Sequence, residues 1–183
     1  MNFHPTYHPG IVEKIRTIPD YPKPGILFRD ITTLFKEPEG LELAVQLLEQ
    51  NYGGHHIEKV AAIEARGFIV GAPLARALRV GFVPIRKKGK LPGATRTLEY
   101  ELEYGRDAVE IHADAVSPGE KVLLVDDLLA TGGTATAAVQ LIRELAGIVE
   151  HGCFVIDLPE LGGRRKLEQL GLSVHSLCAF PGH

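Results

Sequence analysis

Two adjacent carboxylates and a short loop of small and hydroxyl residues are the part of this sequence best suited to chemistry. Asp126 and Asp127 follow the apolar run 122–125, and the loop 130–134 reads Ala-Thr-Gly-Gly-Thr. Apolar residues then recur at helical spacing. A loop between the carboxyl end of a buried strand and the amino end of a helix offers unpaired N–H groups and a favourable helix dipole to an anion. The order of residues therefore predicts a phosphate site.

The two aspartates narrow the ligand further. Carboxylates beside a phosphate would repel it unless they face another part of the ligand, and the hydroxyls of a ribose are suitable donors for them. We therefore predict a sugar phosphate, with both aspartate side chains at the mouth of the site. The segment is not a nucleotide-triphosphate loop, because no lysine follows the glycines. The ordinary alternative is that the acids cap a helix and the glycines form only a turn.

Basic residues elsewhere are suited to a second phosphate group. Arg66 follows the apolar run 59–63 in a loop closed by Gly67. Four more basic residues cluster around Gly89, namely Arg86, Lys87, Lys88 and Lys90. A run of charges is usually a solvated surface, and one or two of these four have that simple explanation. The glycines and Pro92 predict a loop that closes on a substrate and excludes water.

Strands and helices alternate along the chain, which predicts a mostly parallel sheet with helices on both faces. The predicted strands are 59–63, 80–85, 97–104, 108–112, 122–125, 153–158 and 173–179, and the predicted helices include 11–17, the stripe 41–52, a helix ending at Leu78, the one after Thr134 and 164–170. Gly105-Arg106-Asp107 is predicted to turn a hairpin between two of these strands.

Composition indicates one ordinary globular domain. The 183 residues are 45% hydrophobic and 23% charged, and the net charge is −3. This charge argues against nucleic-acid and membrane-surface partners. No apolar run approaches the roughly 18 residues that span a bilayer and no signal-peptide pattern begins the sequence, so we expect a cytoplasmic protein. Both cysteines lie in apolar runs and are expected to be buried, reduced thiols.

At this point the sequence resembles the type I phosphoribosyltransferase family, whose signature is an apolar strand, paired acids and an Ala-Thr-Gly-Gly-Thr loop. Other segments are similar to the adenine-specific members, namely Pro24 to Asp30, Glu64 to Phe68, Arg86 to Gly93, Leu102 to Gly105 and Phe180 to His183. The resemblance implies a single domain over 1–183 with the type I phosphoribosyltransferase fold. It also implies a small N-terminal lid over about 1–25, and a flexible loop and projecting β-hairpin arm over about 86–112.

The resemblance further implies roles for individual residues. The ribose and 5′-phosphate of phosphoribosyl pyrophosphate (PRPP) or AMP would bind Asp126, Asp127, Leu128, Leu129, Ala130, Thr131, Gly132, Gly133 and Thr134. Pyrophosphate would bind Arg66, Gly67, Arg86, Lys87 and Lys90, and adenine would bind Leu27, Phe28 and Arg29. Glu103 would be the catalytic residue that assists the proton shift of the purine, and Tyr104 would contact the closed loop. An acidic solvent face shared with Glu99 and Glu101 is the ordinary explanation of Glu103.

These roles imply one reaction, in which adenine and PRPP give AMP and pyrophosphate in purine salvage. Mg²⁺ is the implied cofactor, held through PRPP oxygens and water, so we name no direct metal ligand. The resemblance also implies a homodimer. Two alternatives stay open: a phosphoribosyltransferase for a 6-oxopurine or pyrimidine, and a non-catalytic PRPP-sensing regulator on the same fold. The basic cluster and Glu103 count against the regulator.

Overall fold

The computed structural model describes residues 8–101 and 106–182, and the statements below concern that part of the chain. Its elements follow in the order α1 (Pro9–Val12), β1 (Arg16–Pro19), β2 (Leu27–Asp30), α2 (Thr32–Phe35), α3 (Pro38–Tyr52), β3 (Lys59–Ile63), α4 (Arg66–Leu78), β4 (Gly81–Lys87), β5 (Thr95–Glu101), β6 (Arg106–His112), β7 (Lys121–Leu129), α5 (Gly133–Glu144), β8 (Ile148–Asp157), a 3₁₀ turn (Pro159–Leu161), α6 (Gly163–Gln169) and β9 (Ser173–Ala179).

A seven-stranded sheet in the order β5-β6-β4-β3-β7-β8-β9 forms the centre of the molecule. The strands β4, β3, β7, β8 and β9 are parallel, whereas β6 runs antiparallel to both β4 and β5. β1 and β2 make a separate two-stranded antiparallel sheet. The predicted α/β architecture is therefore confirmed, with the hairpin β5-β6 as an antiparallel extension of the parallel sheet.

Two apolar clusters cover the two faces of the sheet. Along β7, Val122 and Leu124 pack into the cluster with α5 and α6, whereas Leu123 and Val125 pack into the cluster with α1, α3 and α4. Successive side chains of a strand point to opposite faces, so a run buried on both faces has to be apolar throughout. Complete burial of such a side chain contributes about 1.5–3 kcal/mol. This anchoring fixes the position at which β7 ends.

Most predicted elements are confirmed, and the bounds of the strands 59–63 and 173–179 match those predicted. The helix predicted over 11–17 is wrong, because α1 ends at Val12 and Arg16–Pro19 is a strand. Ile11 and Ile15 are both buried and lie four residues apart, which is also the spacing of residues on one face of a helix. Pro19 explains the extended backbone before it, since the residue preceding a proline avoids the helical region.

The basic cluster and the hairpin turn also differ from the prediction. Arg86 and Lys87 lie on β4, paired with Glu110 and Val109, and not in a loop. Arg106 and Asp107 belong to β6 and not to a turn, and Gly105 lies outside the described residues. Both cysteines are buried and free, as predicted. Over the described ranges, no helix has the length and apolarity required to cross a membrane.

Candidate active site

Two adjoining cavities lie where β3, β4 and β7 end. The large cavity has a volume of about 460 Å³, and its ionisable lining residues are Glu64, Arg66, Lys87, Tyr100, Asp107, Asp126 and Asp127. The small cavity has a volume of about 90 Å³ and is lined by Asp126 and the segment 128–135. Asp126, Leu128 and Thr134 line both cavities, so the two form one site with a shared wall. The larger volume is in the range usual for small-molecule sites.

The small cavity is the predicted phosphate loop, and the strand–loop–helix order is confirmed. Gly132 has a φ of 77° directly before α5, a conformation that side chains rarely adopt. A Cβ on Gly132 would also lie 2.8 Å from the Cα of Gly163, so only glycine fits. Among the described residues no side chain caps the start of α5. The first N–H groups of the helix are therefore available to an anion.

The paired aspartates have different environments. Asp127 is only 4% exposed, and its carboxylate forms a salt bridge with Nε of Arg66. Asp126 is partly exposed, and its Oδ1 accepts a hydrogen bond of 2.8 Å from the Asp127 N–H. Burial of the carboxyl group, together with the charge of Asp127, raises the pKa of Asp126 well above its usual range. The expectation that both side chains lie at the mouth is wrong for Asp127, because strand alternation turns it inward.

Three of the four predicted pyrophosphate cations are each paired with a carboxylate. The three pairs are Arg66–Asp127, Arg86–Glu64 at 2.5 Å and Lys87–Asp107 at 3.1 Å. The side chains of Arg66 and Lys87 remain 44% and 60% exposed and line the large cavity. Arg86 does not line it, although its partner Glu64 does. The structure thus brings two of the predicted cations to the cavity together with the counter-ions of all three.

Gly67 and Lys90 occupy supporting positions. Gly67 packs against Asp126, whose Oδ1 would lie 2.7 Å from a Cβ at this position. The exposed Lys90 belongs to a turn held by the buried Glu110, whose Oε1 accepts the N–H groups of Lys90 and Leu91 at 2.9 and 2.7 Å. Burial of the carboxyl group by itself would raise the pKa of Glu110, but the backbone N–H groups that it accepts bring that pKa below its usual value.

The residues predicted to bind adenine lie on β2 and do not line either cavity. Leu27 is 37% exposed, and Phe28 makes an edge-to-face contact with Tyr21 at 5.1 Å between centroids. Arg29 donates to Thr17 and to the Pro181 carbonyl. All three therefore form part of the β1-β2 sheet, and Arg29 also contacts Phe180 and Pro181 near the C-terminus. Oδ1 of Asp30, the last residue of β2, accepts the N–H of Thr32 at the start of α2 at 3.0 Å.

Three ionisable residues that line the large cavity were not among the predicted site residues. Glu64 precedes Arg66 in a motif noted above, and a search for acids that follow predicted strands would have found it. Tyr100 and Asp107 are directly opposite each other on β5 and β6. Their pairing depends on the register of β5 against β6, which local sequence pattern does not specify. Glu103 and Tyr104 lie outside the described residues, and their roles stay predictions.

Comparisons with known proteins agree with this geometry. The family model described as the phosphoribosyl transferase domain matches residues 34–158. Adenine phosphoribosyltransferase of Rhizobium johnstonii is 60% identical over 173 residues, covering 94% of this chain and 96% of that protein. The enzyme of the same name from Ruegeria pomeroyi is 58% identical over 173 residues, covering 94% and 97%.

Solved structures give the same result. The adenine phosphoribosyltransferase of Thermoanaerobacter pseudethanolicus superposes with a TM-score of 0.89 at 50% identity, covering 93% of this chain and 98% of that one. The Saccharomyces cerevisiae enzyme, complexed with an imino-altritol bisphosphate and adenine, gives a TM-score of 0.85 at 40% identity, covering 92% and 96%. This chain therefore belongs to the phosphoribosyltransferase family and, within it, to the adenine phosphoribosyltransferases.

Proposed function

We propose that this protein transfers the 5-phosphoribosyl group of PRPP to adenine and releases AMP and pyrophosphate. The observation that carries the proposal is the pair of joined cavities, with a backbone anion site at one end and two exposed cations at the other. A ligand with a sugar between two phosphate groups suits that arrangement. The yeast relative is complexed with a bisphosphate and adenine, which supports the same class of ligand.

The small cavity binds the 5′-phosphate. The N–H groups at the start of α5 and the hydroxyls of Thr131 and Thr134 donate to its oxygens. Asp126, on the wall shared by both cavities, accepts from the ribose hydroxyls and lies near the positive charge that develops on the sugar. Asp127 does not contact the ligand itself and acts through Arg66, because its buried carboxylate holds the guanidinium of that residue.

The large cavity binds the pyrophosphate group. Arg66 and Lys87 donate to its oxygens, and their positive charges stabilise the negative charge that builds on the leaving group. Their carboxylate partners keep these cations in place before the substrate arrives. Arg86 and Lys90 support this end indirectly, since Nη1 of Arg86 donates to the Lys90 carbonyl at 3.0 Å. The turn 88–91 then closes over the substrate and excludes water.

Mg²⁺ accompanies PRPP in this proposal. Four carboxyl residues and only two cations line the large cavity, so the protein by itself has too little positive charge for a polyanionic ligand. In the described part of the chain no three acidic, histidine or cysteine side chains come together as a cage. This donor set fits an ion held mainly by substrate oxygens and water. When bound, Mg²⁺ supplies positive charge to the leaving pyrophosphate, and Asp126 and Glu64 are the carboxylates able to face its waters.

Adenine binds against Phe28 and is recognised by backbone groups of Leu27 and Arg29, as the sequence resemblance implies. The β1-β2 sheet has to approach the large cavity for this contact, which is the movement expected of a lid. Glu103 then shares a proton with the purine while its N9 attacks the ribose, and Tyr104 contacts the closed loop.

The active form is a homodimer. Ile69 on α4 and Phe82 on β4 are 41% and 38% exposed, and Phe82 packs edge-to-face against Phe68 at 5.7 Å. An exposed apolar patch of this kind suits a second protein surface. The patch begins one turn after Arg66, so a partner bound there would lie beside the large cavity. Light scattering of Phe82→Asp checks this, because the charge should convert a dimer into monomers.

The reaction itself is tested by incubating the protein with PRPP, Mg²⁺ and each nucleobase in turn. We expect AMP from adenine and almost no nucleotide from hypoxanthine, because a site matched to the N6 donor and N1 acceptor of adenine leaves polar groups unpaired with hypoxanthine. Such mismatches cost on the order of 10⁴-fold in specificity. Turnover of hypoxanthine or a pyrimidine at the adenine rate would contradict the assignment, and absence of any nucleotide would favour a regulator.

A further inference from the structure

A chain of four polar side chains joins the small cavity to the large one. The Thr134 hydroxyl donates to the Tyr100 hydroxyl at 3.0 Å, and the Tyr100 hydroxyl donates to Oδ2 of Asp107 at 3.4 Å. Nζ of Lys87 contacts the same Oδ2 at 3.1 Å. Thr134 lines the phosphate loop and Lys87 lines the proposed pyrophosphate end. This row of hydrogen-bonded side chains therefore begins at one proposed anion site and ends at the other.

The contacts between these four side chains differ in strength. The Thr134–Tyr100 bond has an ordinary length, but the Tyr100–Asp107 bond is long for an O–H···O bond, which usually measures 2.5–3.0 Å. Oδ1 of Asp107 accepts the N–H of Ala108 at 2.9 Å, which fixes the carboxylate and is the main reason that the pKa of Asp107 is lowered. Asp107 in turn raises the pKa of Lys87. Lys87 is thus held mainly by Asp107, while Tyr100 is engaged mainly by Thr134.

We propose that Tyr100 and Asp107 couple the two anion sites, so that phosphate in the small cavity releases Lys87 for pyrophosphate in the large one. The proposal rests on the function proposed above. A bound phosphate is a charged acceptor and takes the Thr134 hydroxyl hydrogen in preference to the neutral Tyr100, since charge-assisted hydrogen bonds are roughly twice as strong. Tyr100 then turns fully to Oδ2 of Asp107.

This change weakens the hold on the lysine. An Oδ2 that gains a short hydrogen bond from Tyr100 attracts the ammonium less, and Lys87 is 60% exposed on a flexible stem. Its ammonium then moves from the carboxylate to a pyrophosphate oxygen. Tyr100 and Asp107 are therefore positioning residues, and ligands at the two ends of the site should bind with positive cooperativity.

The test measures this cooperativity with two separate probes that do not react with each other. Calorimetric titration gives the Kd of magnesium pyrophosphate without and with saturating ribose 5-phosphate. In the wild-type protein we expect ribose 5-phosphate to tighten pyrophosphate binding about fivefold, at the lower end of common coupling factors. Tyr100→Phe should reduce the factor to about one while leaving the Kd of pyrophosphate alone within about twofold.

Asp107→Asn tests whether Asp107 restrains Lys87 from binding pyrophosphate. Because the neutral amide holds Lys87 less strongly than the carboxylate does, pyrophosphate alone should bind to this variant more tightly than to the wild type, approaching its affinity for the wild type saturated with ribose 5-phosphate. Tyr52→Phe is the matched control, since it also removes a tyrosine hydroxyl, but from a residue buried in the apolar cluster on the other face of the sheet. This variant should keep the full coupling. Thermal unfolding of each variant verifies folding.

The proposal would be overturned by an unchanged coupling factor in Tyr100→Phe, or by weaker binding of pyrophosphate alone by Asp107→Asn. A wild type without cooperativity would do the same. AMP formation by the wild-type protein is measured alongside. If AMP forms and the coupling is absent, only this inference fails; if no AMP forms, the proposed function fails first.

Discussion

The two ends of the site are built differently. The proposed phosphate loop at 128–135 is formed by backbone between a strand and a helix, and its residues Leu129 and Ala135 are buried. The opposite end is formed by long side chains, Arg66 and Lys87, that are about half exposed and held by carboxylates. The first end is therefore preorganised by the core, and the second is held by exchangeable ion pairs. Changes in the loop should affect folding and binding together, whereas changes in the cations should affect binding alone.

The largest effect is expected from Gly132→Ala. The substitution forces a side chain into a left-handed conformation and against the Cα of Gly163, so the loop has to move. We expect the free energy of unfolding to fall by about 2–4 kcal/mol and activity to fall at least about 100-fold, because strain and a displaced anion site add. Urea unfolding and initial rates measure the two effects.

Gly171→Ala is the control for that substitution. Gly171 has a φ of 86° with nothing within 4 Å of its Cβ position, and it is remote from both cavities. It should show the backbone strain of about 1 kcal/mol without loss of activity. Equal activity losses in the two variants would mean that the loop is not a preorganised anion site.

The paired acids sharpen the comparison, because substitution by Asn should reduce the free energy of unfolding at Asp127 and not at Asp126. A carboxyl whose pKa is raised in the folded state stabilises the fold below its unfolded pKa, and this contribution is lost as the pH rises through the folded value. Asp126→Asn should therefore unfold at pH 7 no more easily than the wild type, yet lose about 10²-fold in kcat. Asp127→Asn should lose about 1–3 kcal/mol, because Arg66 loses its charged partner.

Unfolding curves and kcat of the two Asn variants at pH 7 measure these effects side by side. Rates within about twofold of wild type in both variants would reduce the pair to structural caps.

A smaller effect is expected at the end of the site that contains the ion-paired cations. Lys87→Gln should raise the KM for PRPP about tenfold, the loss of one charge-assisted hydrogen bond of roughly 1.5 kcal/mol, and should also lower kcat because Lys87 stabilises the charge of the leaving group. Lys88→Gln is the matched control, since the neighbouring side chain is 66% exposed, does not line the cavity and reaches Glu99 only at 4.0 Å. Steady-state kinetics with varied PRPP distinguish the two. Similar KM values for both variants would place Lys87 on a merely solvated surface.

The smallest effect is expected from Glu110→Gln, which keeps an acceptor for Lys90 and Leu91 but removes the charge. Because the folded pKa of Glu110 is lowered, its contribution is present above the unfolded pKa and is lost as the pH falls through the folded value. The variant should be less stable by about 1 kcal/mol at pH 7 and equal to the wild type in strong acid. Urea unfolding at both pH values measures the difference, with Glu99→Gln as an exposed control. A difference that persists in acid would contradict this role.

The sequence by itself determined the end of the site that is contiguous in the chain. The residues 122–134 contain the buried strand, the acids, the loop and the helix start, and each is specified by its neighbours within a few positions. Periodicity therefore sufficed to predict the loop and the parallel sheet that positions it. The resemblance of short motifs then supplied the chemistry of the sugar phosphate.

Only the tertiary structure decided how the charged groups combine. Arg66 and Asp127 are 61 residues apart, and Arg86 and Glu64 are 22 apart. These contacts depend on which strands are neighbours, which local pattern does not encode. The inward turn of Asp127 and the pairing of Lys87 with Asp107 likewise follow from strand register. Because an ion pair requires its atoms within 4 Å, a shift of one residue in the hairpin would have produced a different site.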